Sequence, residues 1–183
     1  LGVGTIATEL ATFHALIHSL PAAAKLRLDA NGSLTPVAAR TWLTVCDQFP
    51  TVEFLEQPLS PQNWEGLQQL SQEFATPIAL DESVASLQDL QTCYERGWQG
   101  IFVVKPAIVG SPSRLRSFCR DHLLDVVCSS VFETSIGQWA ALHLAGELMA
   151  PERAIGFGVE HWFADADPLV WADPETLWHH LSR

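Results

Sequence analysis

The sequence predicts an α/β fold, a (β/α) barrel built on a parallel sheet and present as an incomplete barrel of about six βα units. Three observations predict it. Short apolar runs alternate with longer stretches whose apolar residues recur every three or four positions. The runs return at a near-constant interval. Each run ends on a polar or small residue, at the place where a parallel barrel builds its pocket.

The first helical stretch, residues 5–20, carries Ile6, Leu10, Phe13, Leu16, Ile17 and Leu20 at that spacing. The run LRLDAN follows, then a helical stretch over 35–49, the run VEFLEQP, a helical stretch over 62–74 and the run PIALDES. The alternation continues with a helix over 86–96, GIFVVKP, a helix over 113–123, DVVCSSV, a helix over 134–149 and AIGFGVE. Runs that are apolar almost throughout suit strands buried on both faces, and Pro, Gly and Asn punctuate them. Strand then helix, repeated, is the order of a parallel sheet covered by helices. The tail, residues 162–183, is rich in Trp, Asp and Pro. It reads as a loop and a short helix from about Pro174, capping an end of the barrel.

Asp29, Glu56, Asp81 and Lys105 close four successive runs, at intervals of 27, 25 and 24 residues. One βα unit of strand, loop, helix and loop needs about that length. Ser129 or Ser130, then Gly156, close the next two. A doubly wound sheet collects its ligand groups at one switch point. A TIM-type barrel brings the C-terminal ends of all its strands around one pocket, and the regular placement favours it. A closed barrel has eight strands, so part of the barrel is expected to lie outside this sequence.

Composition narrows the function. With 183 residues, 48% of them apolar, the chain can bury one sizeable core. Ten basic against 21 acidic side chains give a formal net charge of −11, which argues against nucleic acid or an anionic membrane as partner. The apolar runs are far shorter than the roughly 20 residues of a membrane span. Leu1 opens the chain with no Met and no signal-like region, so an N-terminal trimming is expected. Cys46, Cys93, Cys119 and Cys128 form no CxxC unit, and a reducing cytoplasm is the simplest setting.

Asp29, Glu56 and Asp81 stand at the ends of consecutive strands, and neighbouring strands lie about 4.8 Å apart. Three converging carboxylates repel unless a divalent cation joins them, and an all-oxygen shell selects Mg²⁺. Each acid taken singly could instead cap the helix after it. Lys105 is the one polar residue in GIFVVKPAI. A lysine there can act as acid, base or cation. Pairing to an internal acid such as Asp81 or Glu82 is the structural alternative.

Asp, Glu and Asp on successive strands, then Lys on the next, resembles the enolase superfamily. The words LRLDANG, FLEQPL, ALDES, VVKPAIVGS and SSVFETSIG resemble the o-succinylbenzoate synthase family, over residues 1–167 or so. The resemblance implies Mg²⁺ held by Asp29, Glu56 and Asp81, and a small carboxylate substrate whose ring carboxylate meets the metal. It implies a lyase of menaquinone and phylloquinone biosynthesis, which dehydrates 2-succinyl-6-hydroxy-2,4-cyclohexadiene-1-carboxylate through an enediolate. It gives Lys105 a catalytic role as a cation facing the intermediate. It assigns the succinyl carboxylate to a serine-rich turn containing Ser129, Ser130 and Ser135, with Gly156. N-acylamino acid racemases and dipeptide epimerases share the metal and two lysines; KPAIVGS and SSVFETSIG lean toward the synthase. A barrel module with a relic metal site is the non-catalytic alternative.

One departure matters. The family carries its general base in a Lys-x-Lys motif, followed by a word like Ile-Gly-Val, and this chain begins Leu1-Gly2-Val3. The base and the N-terminal capping domain are therefore expected upstream. Residues 1–183 then read as the C-terminal barrel portion, inactive alone.

Other residues carry weaker readings. Asn31 is near enough to the acids to contribute, though an Asn-Gly turn explains it without function. Glu82 and Glu133 are candidate supports for the site or surface groups. Gly110-Ser111 opens a helix and either faces the pocket or caps. His14 and His18 have metal-ligand spacing but lack the Glu of HExxH, and helix packing is expected. His179 and His180 read as a solvated helix end. Trp42, Trp64 and Trp139 read as packing residues.

Overall fold

The computed structural model describes residues 1–158 together with Glu175, Trp178 and His179. The chain divides into two compact units, Leu1–Phe102 and Val103–Arg183, and the division falls inside the fourth strand. The short helix expected from Pro174 and the loop before it lie outside the described residues.

The first unit alternates helix and strand as its pattern requires. Helix α1 spans Ile6–Ser19 and is capped by Thr5, whose hydroxyl accepts the Thr8 N–H. It buries Phe13 and Ile17, one turn apart. Strand β1 is Leu26–Asp29. Helix α2, Pro36–Cys46, opens with a Thr35 cap and a proline in its first turn, where the missing N–H costs nothing. It buries Ala39, Trp42, Leu43 and Cys46, one stripe of a 3.6-residue period. Trp42 and Leu43 are fully buried, each contributing about 1.5–3 kcal/mol of transfer free energy.

Strand β2 is Val52–Glu56, helix α3 is Trp64–Glu73 and strand β3 is Ile78–Leu80. A 3-10 turn, Glu82–Val84, follows, and helix α4 is Leu87–Glu95. Asn63 caps α3, and Ser86 with Asp89 forms a reciprocal capping box on α4. Strand β4 is Ile101–Val104. Strands β1, β2, β3 and β4 pair in sequence order, all parallel. Every residue of β3 and β4 is buried, as both-face burial in a parallel sheet demands.

Helices run shorter than the apolar period suggests. The stretch read as 35–49 stops at Cys46, because Gln48 and Phe49 donate to carbonyls three residues back and tighten the chain into a turn.

The second unit holds the end of β4, helix α5 (Pro112–His122), strand β5 (Val126–Cys128) and helix α6 (Ser135–Leu148). Ser129 N donates to Val104 O at 2.9 Å, tying the end of β5 to β4. The sixth run makes one parallel bridge, Ser129 to Gly156, and no ladder among the described residues. The described chain thus has five strands and one bridge where about six strands were expected. Leu115, Cys119, Ala141, Leu144 and Ala145 form the apolar interior of this unit. Among the described residues no helix is long and apolar enough to cross a membrane.

Candidate active site

In the first unit the acids stand where the strands end. Asp29 is the last residue of β1, Glu56 the last of β2, and the two are register partners. Glu56 in turn faces Ala79 of β3, and Asp81 lies two residues further on. Exposure differs along the row: Asp29 is exposed, Glu56 half-buried and Asp81 buried.

The turn after β1 is built to hold Asp29. Asn31 adopts a left-handed φ of 43°, as short amide side chains tolerate, and Gly32 continues at 69°. Its backbone N–H donates to Asp29 Oδ1 at 2.8 Å and its side-chain amide to Asp29 Oδ2 at 2.9 Å. The same amide nitrogen reaches Glu82 Oε1 at 3.2 Å. Asn31 is therefore more than a turn residue: it joins the acid ending β1 to the 3-10 turn after β3. Glu82 thus meets the turn after β1 through Asn31.

Gln57, which the sequence reading passed over, is fully buried between the ends of β2 and β3. Its Oε1 accepts the N–H groups of Asp81, at 3.0 Å, and Ser83, at 3.2 Å. Its Nε2 donates to Leu59 O and to Ser83 Oγ, both at 2.9 Å. The only signal in the sequence is its place directly after Glu56.

The row offers three carboxylates on adjacent strand ends, a hard-oxygen donor set. Among the described residues no three His, Cys, Asp or Glu side chains are gathered closely enough to hold a metal ion. The strands bring the acids together as neighbours; the head groups are not drawn into one shell, and both Asp29 oxygens accept from Asn31. The set fits a divalent cation by donor chemistry and by strand position.

In the second unit Lys105 directly follows β4 and is half-buried. Its carbonyl accepts the N–H groups of Ile108 and Val109, each at 3.0 Å, so the chain turns sharply behind it. Gly110 has a φ of 122°, and Ser111 is the N-cap of α5 without a side-chain bond to a backbone N–H of the helix. Its hydroxyl contacts Ser113 Oγ at 3.1 Å instead.

The serine turn is tightly bonded. Ser129 Oγ donates to Gly156 O at 3.3 Å, and a Cβ on Gly156 would stand 3.1 Å from that same hydroxyl. Ser130 commits both its donors: its N–H goes to Gly156 O at 3.0 Å and its hydroxyl to Glu133 Oε2 at 2.8 Å. Glu133 Oε2 also accepts Val131 N–H at 2.7 Å, while its Oε1 is buried without a partner. Ser135 opens α6.

His14 and His18 are exposed and lie edge-on to Phe49, with ring centroids 5.7 and 6.4 Å away, as packing groups do. Trp42 and Trp64 are buried, and Trp139 packs against His143 at 4.7 Å.

A family model described as enolase C-terminal domain-like matches residues 1–174. The chain belongs to that family. It is 40% identical over 187 residues to the o-succinylbenzoate synthase of Thermosynechococcus vestitus, covering 100% of this chain and 58% of that protein. It is 30% identical to the o-succinylbenzoate synthase of Mycolicibacterium smegmatis, covering 92% of this chain and 52% of that one. A solved o-succinylbenzoate synthase from Thermosynechococcus elongatus, with magnesium in its active site, superposes with a TM-score of 0.84 at 38% identity, over 98% of this chain and 57% of that one. This enolase-family chain thus spans a little over half the length of these relatives. Its fold is the superfamily's TIM-type barrel, represented in part.

Proposed function

We propose that the full-length gene product carrying this chain dehydrates 2-succinyl-6-hydroxy-2,4-cyclohexadiene-1-carboxylate to o-succinylbenzoate, as a Mg²⁺-dependent lyase of menaquinone or phylloquinone biosynthesis. The acidic row carries the reading: Asp29 and Glu56 paired in register, with Asp81 just past the next strand. Lys105, at the end of β4, and the 40% identity to a synthase support it.

Asp29, Glu56 and Asp81 would hold the ion. Bound Mg²⁺ supplies fixed positive charge where the substrate carboxylate gains negative charge. Lys105 supplies a second cation, and its half-buried stem limits the geometries its head can take. The N–H groups opening α6 at Ser135 suit the succinyl carboxylate, and Ser129, bonded to Val104 O and Gly156 O, shapes the turn before them. Ser130 shapes the same turn, since its donors go to Gly156 and Glu133, and Gly156 keeps open the space beside Ser129.

The base that removes the α-proton is not among these groups. The chain has two lysines, Lys25 and Lys105. Lys25 precedes β1 and donates to Pro50 O at 3.1 Å, so it stands at the opposite end of that strand from Asp29. In this reading the base comes from outside these 183 residues, and the chain alone does not turn over. A cytoplasmic setting agrees with four unbridged, buried cysteines.

A second reading is proton exchange at Cα of an N-succinylamino acid, or of a dipeptide. It uses the same acids and lysine. The chain is 32% identical over 123 residues to an N-succinylamino acid racemase from Amycolatopsis. The deciding experiment assays the full-length gene product with Mg²⁺, following loss of the diene absorbance. Mg²⁺-dependent aromatisation supports the synthase. No aromatisation but racemisation of N-succinylamino acids transfers the assignment to the second reading, and neither activity leaves the non-catalytic module.

A further inference from the structure

We propose that Gln57 is the positioning residue of the acidic row: its side-chain amide fixes the Asp81 backbone against the end of β2 and so sets Glu56 and Asp81 relative to each other. The inference rests on the reading of Asp29, Glu56 and Asp81 as the holders of a divalent cation.

The argument is one of hydrogen-bond accounting. Gln57 is the residue directly after Glu56, and its side chain is fully buried. A buried primary amide has two acceptor positions and two N–H donors to satisfy. Here all four are used. Oε1 takes Asp81 N–H at 3.0 Å and Ser83 N–H at 3.2 Å; Nε2 gives to Leu59 O and Ser83 Oγ, both at 2.9 Å. Its backbone is equally committed: its N–H donates to Ala79 O at 2.8 Å, and its carbonyl accepts Gly32 N–H at 2.7 Å. Gly32 adjoins Asn31, which holds the Asp29 carboxylate. One residue is thereby bonded to the segments that present all three acids.

The backbone is strained to achieve this. Gln57 has a φ of 34°, a left-handed conformation that an unbranched side chain adopts only when its surroundings impose it. The left-handed kink ends the strand at Glu56 while the side chain turns to the neighbouring loop. Beside a row of three carboxylates, a neutral amide can hold the backbone N–H groups without adding a fourth negative charge. Glutamate would accept the same N–H groups but lose both donors and add that charge. Methionine keeps the volume and orphans the N–H groups of Asp81 and Ser83.

A merely structural role predicts lost stability alone; a positioning role predicts that divalent-cation affinity falls as well. The test uses the full-length gene product, Mn²⁺ as the probe, and electron paramagnetic resonance to count bound and unbound ion, with thermal unfolding alongside. The Gln57→Met variant is expected to bind Mn²⁺ about 10- to 100-fold more weakly, the range for groups that orient metal ligands. Asp47→Ala, which breaks bonds at the opposite end of the strands, serves as a variant of lowered stability whose affinity stays at the wild-type value. Should Gln57→Met fail to fold, Ser83→Ala removes one of the two acceptors of Nε2 and is expected to weaken Mn²⁺ binding a few-fold. Wild-type affinity in a folded Gln57→Met or in Ser83→Ala overturns the inference and leaves the functional reading standing. No Mn²⁺ binding by the wild type, or binding that Glu56→Gln leaves unaltered, overturns both.

Discussion

Asp29 and Glu56 are partners in register, each the last residue of its strand, at the edge where two parallel strands give way to loops. The parallel ladder sets that pairing, so neither acid can withdraw from the other without breaking strand hydrogen bonds. Two carboxylates in that relation offer paired hard-oxygen donors, and neutralising one is predicted to cost activity far more than stability.

Glu56→Gln should leave the fold intact and move the thermal midpoint little, because glutamine keeps the volume and an acceptor oxygen at the end of β2. The same substitution should lower turnover by the full-length protein on the order of 10³-fold, since a metal-held charge supplies several kcal/mol of stabilisation. Parallel unfolding and diene-absorbance assays check both. A fall in both quantities would mean that Glu56 is a structural residue.

Asn31→Gly separates the turn from its side chain. Glycine accepts the φ of 43° at no steric cost, so the chain should still turn. The amide that bonds Asp29 and Glu82 is lost, and divalent-ion affinity should drop about 10-fold or more. Calorimetric titration of Mg²⁺ into wild type and variant gives the ratio.

Lys105→Met keeps an unbranched stem of similar length and removes the charge. It should cost about 10²–10³ in kcat, the range for one removed charge-stabilising donor. An unchanged kcat would assign Lys105 to ion pairing alone.

Much of this was legible in the sequence, and the reason is local. An apolar run that stops at an acid marks a strand and its end together, which is how Asp29, Glu56 and Asp81 stand out. Thr5, Thr35, Asn63 and Ser86 announce their helices because a cap needs only the next three residues. What escaped depends on distant chain. Gln57 looks like a turn residue until loops some 24 to 26 positions away close over it. Ser130 looks available to a ligand until its hydroxyl is seen to donate to Glu133. The sixth run has strand composition, but its described part forms a single bridge at Gly156.

Asp47 makes stability depend on pH at the other end of the strands. Its Oδ1 accepts the Thr76 hydroxyl at 2.6 Å and the Thr76 N–H at 2.7 Å, and Oδ2 accepts Ala75 N–H at 3.2 Å. Burial pushes its pKa upward, but these bonds outweigh it and hold the carboxyl below its ordinary value of 3.8. The stabilisation is therefore fully present above that ordinary value and is lost as pH falls through the lower folded one. Asp47→Ala should cost about 1 kcal/mol at pH 7, modest because the group is exposed. Urea unfolding should show the gap between wild type and variant narrowing at pH 3.

Cys93 offers a reporter beside the acidic row. Its Sγ donates to Ser83 O at 3.3 Å, in the turn that Gln57 holds. Burial pushes its thiol up to about 11, so at pH 8 it is almost wholly protonated as well as inaccessible. Labelling by a disulfide reagent must then wait for the turn to open. If Asp81 helps hold a divalent ion, the open form cannot bind it, and saturating Mg²⁺ removes open molecules in proportion to occupancy. At ten times its dissociation constant Mg²⁺ should slow Cys93 labelling about tenfold. Cys119, buried in the second unit and also raised to about 11, is the internal reference and should keep its rate. Equal slowing of both thiols would indicate global stabilisation, and slowing of neither would separate the acidic row from metal binding.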